Sequence, residues 1–171
     1  MRQAAMVLGI GGCIAIGACS GTGGYGQLDG QAPETLVGQV GLSGSVPMVM
    51  VTLRLSNGQS VSLVGELRAE LAELTGAVVA VEGVRTATPR EFDVAGYQIR
   101  SIEGERPLVG ILTLLEGAIW LEVEGDEAVR LIEVPERLRG KVGAKVWILG
   151  RPVDGGTYPH TYGIIRDVGR E

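Results

Sequence analysis

An eleven-residue pattern occurs twice in this chain, as LRLSNGQSVSL from Leu53 to Leu63 and as LEVEGDEAVRL from Leu121 to Leu131. Aligned without a gap, the copies keep apolar residues at Leu53/Leu121, Leu55/Val123, Val61/Val129 and Leu63/Leu131, while the residues between them drift. Side chains on a strand alternate between faces, so residues two apart share a face. The pattern therefore describes a β-hairpin, with Leu53 expected opposite Leu63 and Leu55 opposite Val61. That parity demands an odd number of loop residues and excludes a two-residue Asn-Gly turn. It points to a three-residue loop at Ser56-Asn57-Gly58, with Gly58 at positive φ. In the second copy Asp126 stands at that place, where a short side chain tolerates positive φ. A repeated hairpin of this kind means two copies of one small β-domain.

The residues around each hairpin extend the correspondence. Leu36-Val37-Gly38 and Leu108-Val109-Gly110 each open a first strand, and the hairpin supplies strands two and three. GELRAELAELTG then places Leu67, Leu71 and Leu74 at helical spacing, leaving Glu66, Glu70 and Glu73 as a polar face. In the second copy the helix is shorter, with Pro135 suited to its first turn and Leu138 and Val142 four apart. Gly76-Ala77-Val78-Val79-Ala80-Val81-Glu82-Gly83 matches Gly143-Ala144-Lys145-Val146-Trp147-Ile148-Leu149-Gly150, and Tyr97-Gln98-Ile99 matches Tyr162-Gly163-Ile164 as a fifth strand. The expected fold is mainly β, in the order β-β-β-α-β-β twice, with domains at 35–104 and 105–169.

This order resembles a tandem of OB-folds, chiefly through the phrase of a helix ending in Gly followed by an alternating strand ending in Gly. The resemblance spans Thr35 to Val168. It implies two five-stranded Greek-key barrels, each with a helix between strands three and four. Ligands then bind on the outer face of strands two and three and in the loops joining strands one to two and four to five. Only Gly104-Glu105-Arg106-Pro107 separates the copies, so one barrel is expected to dock on the other.

Met1-Arg2 followed by an apolar run from Ala4 to Ala18 is too short to span a bilayer, which needs roughly 20 residues, and reads as a signal peptide over residues 1–18. Its end, Ile16-Gly17-Ala18-Cys19, resembles the lipobox of bacterial lipoproteins, with Ile where Leu is usual. The resemblance implies a lipid on Cys19 and a protein held on the bacterial envelope, facing the periplasm or the outside. Ser20 after the cysteine favours the outer membrane of a two-membrane cell. Ile10-Gly11-Gly12-Cys13 is a second, weaker match with a shorter apolar run. Residues 19–34, rich in glycine, form a tether whose contour reaches ~50 Å.

Charge and cysteine usage narrow the function. Fifteen Lys and Arg against 20 Asp and Glu give −5, and loss of Arg2 with the signal peptide leaves 14 against 20, or −6. Nucleic-acid binding depends on clustered cations, which this balance does not supply. The two cysteines, Cys13 and Cys19, leave the body of the chain without disulfides or thiolate metal sites.

Two places carry candidate binding chemistry. On strand two of the second copy, Ile119, Leu121 and Val123 take the inward parity, so Trp120, Glu122 and Glu124 face outward. An indole between carboxylates can stack on a sugar or hold a cation. The competing reading packs Trp120 against the first copy or the tether. The matching positions of the first copy, Thr52, Arg54 and Ser56, have the opposite charge character, and Arg54 is a candidate partner for Glu122 or Glu124. The second place is the expected loop from Asp154 to Tyr162, with Tyr158, the chain's single histidine His160, and Tyr162. One histidine without a nucleophile or a second ligand makes neither a triad nor a metal site. The acidic group Glu122, Glu124, Asp126 and Glu127 lacks the spacing of a calcium loop. No metal and no cofactor is expected. The expected function is a non-enzymatic, lipid-anchored envelope module that contacts a protein or a glycan through domain two. The alternatives are a structural subunit of an envelope complex or, less favoured, an enzyme using His160.

Overall fold

The structure, a computed structural model, describes residues 32–168; the expected signal peptide, Cys19 and the tether as far as Gln31 lie outside the described residues. The elements run β1 (Glu34–Ser43), β2 (Met50–Leu55), β3 (Ser60–Val64), α1 (Arg68–Ala72), β4 (Val78–Arg85) and β5 (Glu91–Ser101), then β6 (Leu108–Leu115), β7 (Ala118–Val123), β8 (Val129–Arg130), α2 (Glu136–Arg139), β9 (Lys145–Val153) and β10 (Gly156–Arg166). This is the doubled β-β-β-α-β-β order, in two five-stranded sheets. The first has the order β1-β2-β3-β5-β4 and closes on itself, because β1 pairs with β4 from Glu34↔Gly83 to Gln39↔Val78. The second has the order β10-β9-β6-β7-β8. Its β8 is only two residues long, and the residues just after it meet β10 through the isolated parallel bridge Leu131↔Thr157 and the Ile132 N–H donating to the Thr157 carbonyl at 2.8 Å. Among the described residues no ladder joins β8 to β10, so the second sheet is open at that edge apart from this contact.

Strand alternation buries the residues it should. Val51, Leu53, Val61 and Leu63 fill the first core with Phe92, and Leu112, Leu121, Val146 and Ile148 fill the second with Leu138. The hairpin loop is Ser56-Asn57-Gly58 with Gly58 at φ 82°, as expected, but the register lies two residues away from the expected one: Leu53 pairs with Val61 and Arg54 with Ser60. Face parity is identical for both registers, and it is the three-residue loop that selects this one. The second hairpin repeats it with Leu121↔Val129. There positive φ falls on Gly125, at 76°, and not on Asp126. The Asp126 N–H donates to the Val123 carbonyl, so Gly125 is the third residue of a four-residue turn, the place where a type II turn requires positive φ.

The first-strand glycines have a packing reason. A Cβ on Gly38 would lie 2.4 Å from the Arg54 carbonyl oxygen, and one on Gly110 would lie 2.2 Å from that of Glu122. Both strands pass so close to the next strand's backbone that no side chain fits. Gly110→Ala is expected to cost about 2 kcal/mol or more. Gly96→Ala, on open space, should stay within about 0.5 kcal/mol. Urea midpoints of the two variants check this.

The helices are shorter than their apolar stripes. α1 buries Leu71, with Leu74 buried just beyond its end, while α2 buries Leu138 and stops at Arg139 with Gly140 as its cap, so Val142 lies outside the helix and is exposed. Between the copies, Glu103 at φ 53° and Gly104 at φ 86° make a two-residue turn closed by paired hydrogen bonds between Ile102 and Glu105. Residues 32–168 belong to one compact unit. Trp147, Val109, Leu149 and Ile165 of the second sheet pack into the same apolar cluster as the first core, so the docking expected from the short linker is present and uses Trp147.

Candidate functional site

Leu71 and Leu74 clamp α1 onto the first core, and helical spacing then turns Glu70 toward the second sheet. Glu70 is only 6% exposed, which corrects its expected place on a solvated polar face with Glu66 and Glu73. Its carboxylate is the centre of a cluster drawn from both sheets. Oε2 accepts from the Tyr97 hydroxyl at 2.5 Å and from Lys145 Nζ at 2.7 Å, and Oε1 accepts from Arg166 Nη1 at 3.1 Å. Lys145 also donates to the Tyr97 hydroxyl at 2.9 Å, with its ammonium 4.6 Å from the ring centroid. Lys145 and Arg166 face each other across the β9–β10 ladder, next to a register shift between Ile164 and Arg166. The second sheet thus presents two cations side by side to one buried carboxylate.

Two effects oppose each other at Glu70. Burial pushes its carboxyl up, while the hydrogen bonds from Lys145 and Tyr97, and the charges of Lys145 and Arg166, pull it down; the second group prevails and holds it below its ordinary value. Burial and the adjacent carboxylate push the Tyr97 phenol well above its ordinary value. At neutral pH Glu70 is therefore an anion and Tyr97 a neutral donor, as the donor geometry requires. Lys145 and Arg166 against Glu70 leave the seam with a net charge of 2 − 1 = +1.

Lys145 and Arg166 also line a cavity of about 860 Å³ shared with Val109, Glu122, Glu124 and the turn residues Asp126 and Glu127. A second lobe of about 960 Å³ continues along Tyr97, Arg100 and Arg106 and shares Lys145, Glu124 and Asp126. The first lobe has the size of a small-ligand site, roughly 300–1,000 Å³. Its lining sets four carboxylates against Lys145 and Arg166, a net of 2 − 4 = −2, and the second lobe adds Arg100 and Arg106 against Glu82. The lining of the first lobe is therefore net acidic. Among the described residues no group of His, Cys, Asp or Glu is arranged to hold a metal ion.

Of the residues singled out from the sequence, Glu122 and Glu124 line the cavity; Trp120, Tyr158, His160 and Tyr162 do not. Trp120 is half-buried between Thr113 and Arg130 on the neighbouring strands, with its indole N–H buried and lacking a hydrogen-bond partner among the described residues. The expected loop from Asp154 to Tyr162 is mostly strand: Val153 pairs with Gly156 across an Asp154-Gly155 turn, and β10 runs on from there. His160 is exposed at a bulge in that strand, its Nδ1 3.1 Å from Thr161 Oγ1. Tyr162 packs on the second core, and the Arg151 guanidinium lies 5.6 Å over the Tyr158 ring. Among the described residues, the ion pairs joining the two sheets use Glu70 with Lys145 and Arg166, rather than Arg54 with Glu122 or Glu124.

Sequence reasoning missed Glu70, Tyr97, Lys145 and Arg166. One signal was available: Lys145 stands where the first copy has Val78, a charge in a strand position that is apolar in its repeat. Comparison of the chain with protein-family models, curated proteins and solved structures finds no match.

Proposed function

We propose that this chain is a lipid-anchored, non-catalytic binding module of the bacterial envelope, built from two docked OB-like barrels, that captures a positively charged partner in the cavity beside its seam. The observation that carries the reading is the lining of the first lobe of that cavity, where the four carboxylates of Glu122, Glu124, Asp126 and Glu127 outnumber the two cations of Lys145 and Arg166. The anchor rests on Ile16-Gly17-Ala18-Cys19 and the glycine-rich tether, and the OB-like assignment on the strand order with a helix between strands three and four. The absence of catalysis is inferred from His160, which lies exposed outside the cavity and, among the described residues, has only the neighbouring Thr161 hydroxyl in hydrogen-bond reach and no carboxylate to orient it. An amine-bearing peptide or amino glycan of the envelope has the complementary chemistry.

The reading is tested by calorimetric titration of the full-length protein in detergent with oligolysine and with a deacetylated glucosamine oligomer. At least one is expected to bind, with affinity falling steeply with salt. In Glu122→Gln/Glu124→Gln it should weaken about tenfold, the loss of roughly 1.4 kcal/mol. Equal binding by the parent and the double variant, or binding of neither probe, rejects the reading.

A further inference from the structure

We infer that the tip of the β1–β2 hairpin is a membrane-contacting element that dips into the lipid interface beside the anchored chain. From Leu36 to Leu53 the sequence carries no charged residue, the crown being Leu42-Ser43-Gly44-Ser45-Val46-Pro47-Met48-Val49-Met50. Four apolar side chains of this crown are exposed, Val46 at 88% and Met48 at 78%, with Leu42 and Met50 about half exposed, while Val49 is partly buried. An apolar group at the end of a hairpin, unbroken by charge, is uncommon on a surface that meets only water.

The crown is a built feature. The Met48 N–H donates to the Ser45 carbonyl at 2.7 Å, and Arg68 Nη2 donates to the Val49 carbonyl at 2.7 Å, tying the tip to the start of α1. The same arginine sets a cation at the rim of the apolar tip, where phosphate headgroups would meet it. The equivalent β6–β7 tip exposes Leu114 and Leu115 but has Glu116 in its turn, so the first copy is the one suited to lipid.

Lipid is preferred to a protein occupant because of where the chain enters. The tether of residues 20–34 joins the first sheet at the start of β1, and the crown lies at the far end of that ten-residue strand, ~33 Å away. A tether contour of ~50 Å exceeds that length, so a chain anchored at Cys19 can bring its crown down onto the same bilayer. The inference rests on the proposed lipid anchor, and each can fail separately.

The test uses the full chain with Val46→Cys, carrying a nitrobenzoxadiazole label, in vesicles of phosphatidylethanolamine and phosphatidylglycerol with nitroxides on the acyl chains. The mass of the mature chain reports acylation of Cys19 independently of the label. The label at position 46 should shift to the blue and be quenched at least threefold more than one at Asp154→Cys, on the exposed β9–β10 turn. Adding Met48→Asp should remove most of that difference, and a label at Met48→Cys should repeat the result if the first one perturbs the turn. A label at 46 quenched no more than one at 154 overturns the inference, whether or not Cys19 is acylated. Shielding of position 46 that appears only when envelope proteins are added overturns it in favour of a protein partner.

Discussion

Replacing Glu70 with alanine is expected to destabilise the fold by about 2–4 kcal/mol, because it leaves Lys145 and Arg166 side by side without their shared anion and the half-buried Tyr97 without an acceptor for its hydroxyl. The lower part of that range is the better guide, since the Lys145 and Arg166 side chains are 27% and 55% exposed and water partly replaces the carboxylate. Glu70→Gln keeps the shape and an acceptor for Tyr97 while removing the charge, so its cost should be about half. The pH dependence separates charge from packing. Glu70 is held below its ordinary value of 4.5 in the folded chain, so its ionised form contributes stability above that pH, and the contribution disappears as the pH falls through the lowered folded value. Urea unfolding between pH 7 and pH 3 should show the gap between the parent chain and Glu70→Gln closing toward acid. In alkali the sign reverses for Tyr97: above its ordinary value of 10.0 the unfolded phenol ionises while the folded one resists, and stability falls. A cost under about 0.5 kcal/mol for Glu70→Ala at pH 7 would mean that the cluster contributes nothing to holding the sheets together.

Phe92→Ala should lower stability by about 3–5 kcal/mol, and Leu121→Ala by about 2–5 kcal/mol, as both side chains are fully buried in their respective cores. The informative result is the form of the transition. The two sheets are joined by the Glu70 cluster, by Trp147 and its apolar neighbours, and by the closed turn at Glu103-Gly104. Either substitution is therefore expected to move one shared melting transition, by roughly 2–4 °C for each kcal/mol lost in a chain of this size. Calorimetry that resolves two transitions, only one of them sensitive to Phe92→Ala, would show that the docking is too weak to couple the sheets.

The doubled order of elements was readable because alternation and the glycine phrases act within a few residues of one another. Gly38 and Gly110 stand where a strand must touch the next strand's backbone, and Leu53, Val61, Leu121 and Val129 keep their faces through both copies. Two features escaped for physical reasons. Parity is the same for registers two residues apart, so Leu53 opposite Leu63 and Leu53 opposite Val61 satisfy it equally. Glu70 borders an apolar stripe and reads locally as a solvated residue, while its cationic partners lie 75 and 96 positions further along the chain. The cavity was half visible: outward parity grouped Trp120, Glu122 and Glu124, of which Glu122 and Glu124 line the cavity, Glu124 from the turn after β7, but the cations opposite them come from the ends of β9 and β10. The stretch from Asp154 to Tyr162 read as loop because of its glycines and proline, yet only Asp154-Gly155 turns and the rest extends as strand.

The tight corner at Glu103-Gly104 makes the duplication irreversible in a practical sense. Severing the chain there would give two halves that each carry a bare greasy wall, one of them bearing Trp147, Leu149 and Ile165. Such fragments would be poor soloists, and co-produced pieces should find each other again by complementation instead of living as interchangeable parts.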